Sequence, residues 1–228
     1  MQLRLEWQYK PPKSKKSYWM KSESMPAKEA LLLEEDLTRT GRMISVDFYD
    51  ELDDKWTKKE VLTFFKKMET EPQDIVAFID GGYHRESGTA GLGLSIYYTQ
   101  NQQRWRYRVN ERIEGIDNNN EAEFAALAYL FTICEDVGIH HQSITIRTDS
   151  KTLYHQANGD WPCYEKEMVQ WLDRVEKNSV KLGLRPQYEL IGRQDNKEAD
   201  QLASQALQSI FIQGKKEQTK NLPGKKVF

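Results

Sequence analysis

The chain has 228 residues, 38% hydrophobic and 30% charged, with a formal net charge of −2. That length holds one large core, or a domain of about 150 residues with a small companion, and no apolar run approaches the roughly 20 residues of a membrane span. Cys134 and Cys163 lack metal-ligand spacing, and charges break residues 1–28 where a secretion signal needs an apolar core, so the expectation is a reduced, cytoplasmic chain. The charge is uneven. Residues 1–28 carry seven Lys or Arg against two Glu, residues 211–228 five Lys against one Glu, and residues 73–210 carry 14 basic and 20 acidic side chains. An acidic middle between basic ends suits a metal site whose polyanionic partner is gripped elsewhere. Lys-rich ends that serve only solubility fit the same pattern.

In chain order, residues 3–9 alternate apolar and polar, the period of a half-buried strand. Residues 11–16 form a basic turn, and 17–21 return as its hairpin partner. Pro26 opens a helix through Leu37 that stops near Gly41, and 43–49 read as a strand. Thr57, with Glu60 three residues on, caps a helix through Met68. Glu71-Pro72 closes a small α+β unit, residues 1–72. Three strands follow, 74–80, 90–99 and 104–112. After them come a helix (121–136), a strand (143–148), helices (150–157 and 164–181), a strand (186–191) and a helix (196–211). This order implies an α/β domain over 73–212, a mixed sheet with helices packed on it. Residues 213–228 hold Lys, Gly and Pro without an apolar period and read as a disordered basic tail. Arg104-Trp105-Arg106-Tyr107-Arg108 reads as an edge strand whose charges discourage pairing, with a phosphate-tracking stripe as the other reading.

Four acids stand in four of these segments. Asp80 ends the first strand of the larger domain before Gly81-Gly82, and Asp149 ends the strand 143–148. Glu123 lies one turn into the helix that opens with Asn118-Asn119-Asn120, and Asp200 follows Asn196-Lys197-Glu198-Ala199. Each has a plain reading of its own. Asp80 can start a turn, Glu123 can fill the N3 place of a cap begun by Asn120, Asp149-Ser150 can cap the next helix, and Asp200 can be solvated. Together, at strand ends and on helices, they can converge at one sheet edge. There they stay ionised only if divalent cations offset their repulsion.

Phe78-Ile79-Asp80-Gly81-Gly82 followed by Gly88-Thr89-Ala90-Gly91-Leu92-Gly93, then Asn119-Asn120-Glu121-Ala122-Glu123, Thr148-Asp149-Ser150, and Asn196 through Ala203, resembles type 1 ribonuclease H over about residues 73–212. The resemblance implies a five-stranded mixed sheet flanked by helices and cleavage of the RNA strand of RNA–DNA hybrids. It implies that Asp80, Glu123, Asp149 and Asp200 are catalytic and hold two Mg²⁺ ions, with Mn²⁺ as the alternative. Asn119 and Asn120 match the pair that touches the hybrid's minor groove, where an amide can meet the 2′-OH as donor or acceptor. Gly81 and Gly82 would admit a phosphate closely, and Ser150, Arg193 and Asn196 complete the expected substrate contacts. The partner would be an RNA–DNA hybrid or another nucleic acid, bound by a monomer.

The pattern departs from that family in two places. The loop Leu190-Ile191-Gly192-Arg193-Gln194-Asp195 has no His, and His84, His140, His141 and His155 lie elsewhere. No Lys-rich handle occurs near residues 157–165. Substrate grip then falls to the first unit, where Lys10, Lys13, Lys15 and Lys16 stand beside Tyr9, Tyr18 and Trp19. Trp7 and Trp19 read equally well as core of a small sheet. Two other functions stay open: a nucleic-acid-binding protein of this fold that cleaves poorly or not at all, and a nuclease with a different substrate.

Overall fold

The computed structural model describes residues 1–218, in two compact units, Met1–Met68 and a second beginning at Glu69. The first unit holds β1 (Gln2–Tyr9), β2 (Tyr18–Lys21), β3 (Met25–Pro26), α1 (Ala27–Arg39), β4 (Met43–Tyr49) and β5 (Lys55–Trp56). Its last helix, α2 (Lys58–Thr70), runs across the division. The sheet runs β2-β1-β4-β5, with β3 also paired to β1. Alternation along β1 buries Leu3 and Leu5 against Ala30, Phe48 and Val61, with Trp7 packed at the margin. The Thr57 cap forms as a reciprocal pair. The Thr57 N–H donates to Glu60 Oε2 at 2.7 Å, and the Glu60 N–H donates to Thr57 Oγ1 at 3.2 Å.

The second unit opens with three long antiparallel strands, β6 (Gln73–His84), β7 (Thr89–Gln100) and β8 (Gln103–Glu114). Asn101 and Gln102, at φ 53 and 62, make the two-residue turn between β7 and β8. Then come α3 (Asn119–Val137), β9 (Ser143–Thr148), α4 (Lys151–Ala157), α5 (Lys166–Leu182), β10 (Arg185–Leu190), a 3-10 turn (Arg193–Asp195), α6 (Lys197–Leu207) and β11 (Gln213–Glu217). β9 is parallel to β6 and β10, and the sheet order is β10-β9-β6-β7-β8-β11. Among the described residues no helix is long and apolar enough to cross a membrane.

Three expectations are corrected by β11. The sheet has six strands among the described residues where five were expected, because residues 213–217, read as disordered tail, pair antiparallel with β8. All five residues of β11 are exposed, so no apolar alternation marks the strand. Backbone pairing forms it, aided by Lys215, whose ammonium lies 4.1 Å from the Trp105 ring centre and 5.1 Å from that of Tyr98. β8 is therefore interior, and the edge reading of its arginines fails. The rest of the expected tail, residues 219–228, lies outside the described residues.

Helices cover both faces of this sheet. Phe124, Leu127, Leu130 and Phe131 of α3 bury against Ile75, Ala77 and Ile79 of β6. On the other face α6 sits with its backbone almost on the strands. A Cβ added to Gly93 would stand 2.1 Å from the Ala199 carbonyl oxygen, a distance no packing tolerates. Gly93→Ala is expected to push α6 off β7 and to lower stability by about 3 kcal/mol or more, read by urea unfolding. An unchanged midpoint would contradict this account of how α6 is seated.

Candidate active site

Strand register brings the first two acids together. The parallel ladder between β6 and β9 runs to Phe78↔Arg147, so Asp80 and Asp149 each follow two residues after the last paired position. Glu123 arrives one turn into α3, which can lie against β6 only because residue 81 is Gly. A Cβ there would stand 2.3 Å from the Ala122 carbonyl. Gly81 thus serves helix packing first. Asp200 arrives with the first turn of α6.

The capping roles that the sequence allowed for these acids belong to their neighbours. Asn118 accepts from the Glu121 N–H at 2.9 Å, and Glu121 accepts from the Asp117 N–H at 2.8 Å, so the cap of α3 stands two residues earlier than Asn120 and Glu123. Glu123 Oε2 is buried without a hydrogen-bond partner among the described residues. Ser150 caps α4 through the Leu153 N–H at 3.3 Å, which leaves Asp149 free of that duty.

Asp80, Gly81, Gly82, Asn119, Glu123, Asp149, Ser150, Arg193 and Asp200 line one cavity of about 220 Å³. Two expected substrate contacts do not join it. Asn120 is exposed outside the lining. Asn196 is 1% exposed, and its Nδ2 donates to the Ile79 carbonyl at 2.9 Å and to Asp149 Oδ1 at 2.7 Å. It positions Asp149 from behind, because its NH2 group is engaged by both hydrogens and sealed from solvent, while its Oδ1 is buried without a hydrogen-bond partner among the described residues.

The electrostatics follow from burial of like charges. Desolvation, then Asp149 and Asp200, push the Asp80 carboxyl up to about 7, with Arg193 pulling it down. Desolvation, then Asp80 and Asp149, push Glu123 up to about 9, opposed by the Gly81 N–H and Arg193. Among the described residues no set of three or more His, Cys, Asp or Glu side chains stands ready around one point to hold a metal ion. The chemistry of the donors nonetheless fits a hard divalent cation: every acidic donor is oxygen, one buried acceptor is orphaned, and Mg²⁺ completes its shell with water.

One positioning residue escaped the sequence reading. Glu198 accepts from Ser95 Oγ, Tyr97 Oη and Arg106 at 2.7 Å each, with Arg108 at 4.0 Å, and so pins the start of α6 two residues from Asp200. Arg106 and Arg108 of the aromatic-basic strand therefore face a carboxylate already present. The alternating arginines were the visible signal, but their partner lies about ninety residues away.

The family model described as reverse transcriptase-like matches residues 78–206, a span that contains all four acids. The chain is 38% identical over 189 residues to the uncharacterized protein YpeP of Bacillus subtilis (strain 168), covering 83% of each. That match is too long for the second unit alone, so it reaches into the first. Among solved structures, ribonuclease H1 from Halobacterium salinarum NRC-1 aligns with a TM-score of 0.50 and 23% identity, over 59% of this chain and 98% of that one. LC11-ribonuclease H1 in complex with an RNA/DNA hybrid aligns with a TM-score of 0.50 and 21% identity, over 60% of this chain and 98% of that one. At those identities the likeness is one of fold.

Asp80 and Glu123 keep protons in the folded chain at pH values where the unfolded chain has lost them. Stability contributed this way is lost as pH rises from the ordinary carboxylate range through about 7 and about 9. Without divalent cations the unfolding temperature is expected to fall between about pH 5 and about pH 9, and Glu123→Gln should flatten the slope. A wild-type profile as flat as the variant's would refute the assignment.

Proposed function

The chain belongs to the reverse transcriptase-like family, of ribonuclease H fold, and on that premise we propose that it is a metal-dependent endonuclease cleaving the RNA strand of RNA–DNA hybrids. The observation that carries the reading is the convergence of Asp80, Glu123, Asp149 and Asp200, from four separate segments, on one small cavity. A purely structural role has no use for that convergence, since it raises two of the carboxyls far from their ordinary range. LC11-ribonuclease H1, whose structure holds an RNA/DNA hybrid, supports the substrate class.

In this reading the four carboxylates hold two divalent cations, Mg²⁺ or Mn²⁺, which supply an activated water and offset charge on the scissile phosphate. The chain's own groups do the rest. Asn196 orients Asp149 from the protein side. Arg193, on the cavity wall, offers a fixed positive charge to a phosphate oxygen. Asn119 presents an amide to a 2′-OH, the group that tells RNA from DNA. Ser150 contributes cavity wall, its hydroxyl being engaged in the cap of α4.

The turn that carries Arg193 has no histidine, and a guanidinium does not release its proton. Protonation of the leaving 3′-oxygen therefore falls to water, which predicts slow turnover. That absence, with carboxylates not preset around one point, favours one second reading: a nucleic-acid-binding protein of this fold that cleaves poorly or not at all.

The test is cleavage of a labelled RNA–DNA hybrid in Mg²⁺ and separately in Mn²⁺, with RNA–RNA and DNA–DNA duplexes as controls. Cleavage of the hybrid alone is expected, lowered at least about a hundredfold by Asp149→Asn. A hybrid bound but uncut in both ions would replace this reading with the second, and cleavage of RNA–RNA would change the substrate.

A further inference from the structure

The cavity is lined by the second unit alone, and the first unit carries a surface that catalysis does not use. β1 and β2 form a hairpin whose connecting segment presents Lys10, Lys13, Lys15 and Lys16, all exposed and without an ion pair among the described residues. Lys21 ends β2, 3.6 Å from Glu6 and with 61% of its side chain exposed. Between these charges β2 is exposed throughout, with Tyr18 at 51%, Trp19 at 65% and Met20 at 46%.

Register decides which way the large ring points. Trp7 pairs with Met20, and Gln8 with Trp19. Trp7 packs toward the core under the helices. Successive residues of a strand face opposite sides, so Trp19 stands with Gln8 on the other face of the sheet. The next residue in that row, on β4, is exposed Ser45. The indole thus lies open on a polar neighbourhood, and folding of this unit gains nothing by keeping it there.

Two occupants suit an open indole on an edge strand: another copy of the strand, or a planar ligand. Five lysines on one short hairpin oppose the first, since like charges on an edge deter pairing. They favour a polyanion that also carries planar groups. Bases inside a duplex are stacked on one another, whereas those of a single strand are free to stack on an aromatic ring. We propose that this hairpin binds single-stranded nucleic acid, with a base stacked on Trp19 and phosphates neutralised by Lys10, Lys13, Lys15, Lys16 and Lys21. This binding does not depend on the hydrolytic reading, because none of its groups line the cavity.

The experiment is an anisotropy titration of a labelled oligothymidylate of about 15 nucleotides with the full chain, in chelator so that no cation-dependent cleavage intervenes. Trp19→Ala is expected to weaken binding about tenfold or more, and Trp19→Phe to retain most of it. Trp19→Leu keeps apolar bulk without an aromatic face and should behave like the alanine variant. Replacing Lys13, Lys15 and Lys16 together by Gln should lower the salt dependence by about two logarithmic units per decade of salt. Wild-type protein that fails to bind the oligonucleotide at low salt would overturn the proposal. So would Trp19→Leu binding as tightly as wild type, which would leave only a charged surface. A hybrid duplex bound more tightly than the single strand, with that binding weakened by the triple lysine replacement but insensitive to Trp19, would assign the hairpin to duplexes and also overturn it.

Discussion

Close approach of helix backbone to sheet backbone is the constraint on which the rest of this structure depends. Two helices approach the central strands at positions where a methyl group has no room. Gly81 lies 2.3 Å, by its virtual Cβ, from the carbonyl of α3, and Gly93 lies 2.1 Å from that of α6. Ordinary side chains between helix and sheet would hold the axes about 10 Å apart. Removing them lets Glu123 and Asp200 reach the same small volume as Asp80 and Asp149. The four acids are therefore a consequence of packing before they are a device of chemistry.

That convergence opposes stability. Asp80 and Glu123 are 8% and 7% exposed, and their carboxyls are raised by desolvation first and by their neighbours second. The second unit offsets the repulsion with a large apolar core between α3 and the sheet, and with polar anchors placed just outside the cavity. Asn196 ties Asp149 to the Ile79 carbonyl, and Glu198 ties α6 to Ser95, Tyr97 and Arg106. Both anchors lie in the residues leading to Asp200, so one short segment secures two of the four carboxylates. A cation at this site would act on a framework held by hydrogen bonds that do not themselves involve it.

The first unit follows a different logic. Its core is small, built from Leu3, Leu5, Phe48, Val61 and two alanines of α1, and on the other face of its sheet Trp19 and Ser45 are exposed. Trp7 and Trp19, twelve residues apart and both readable as core, separate completely once β1 and β2 pair. One packs at the margin of the core and the other stands in solvent among lysines. The 38% identity to YpeP extends into this unit, so it forms part of what the two chains share.

Local signals carried much of this protein. The alternation in β1, the reciprocal cap of α2, the three successive strands and the order of helices after them were all legible from residue type and period, because burial on one face imposes that period. The four acids were legible as a set, since their neighbours are distinctive even where each acid alone is not. Features that rest on partners far apart in the chain were not legible. β11 is bound through its backbone, and its five exposed residues carry no pattern. The capping pair of α3, Asn118 and Glu121, is local yet differs from the expected one by two residues, because Asn118, Asn119 and Asn120 each offer a cap and hydrogen-bond geometry selects among them. Asn196 changes from a substrate contact to a support for Asp149, and Arg106 meets Glu198 across the sheet, because α6 lies against glycine. The sequence by itself determined which residues are apolar, charged or small, and hence the elements and the candidate acids. The tertiary structure decided which polar groups face each other, since that depends on distances which no local pattern encodes.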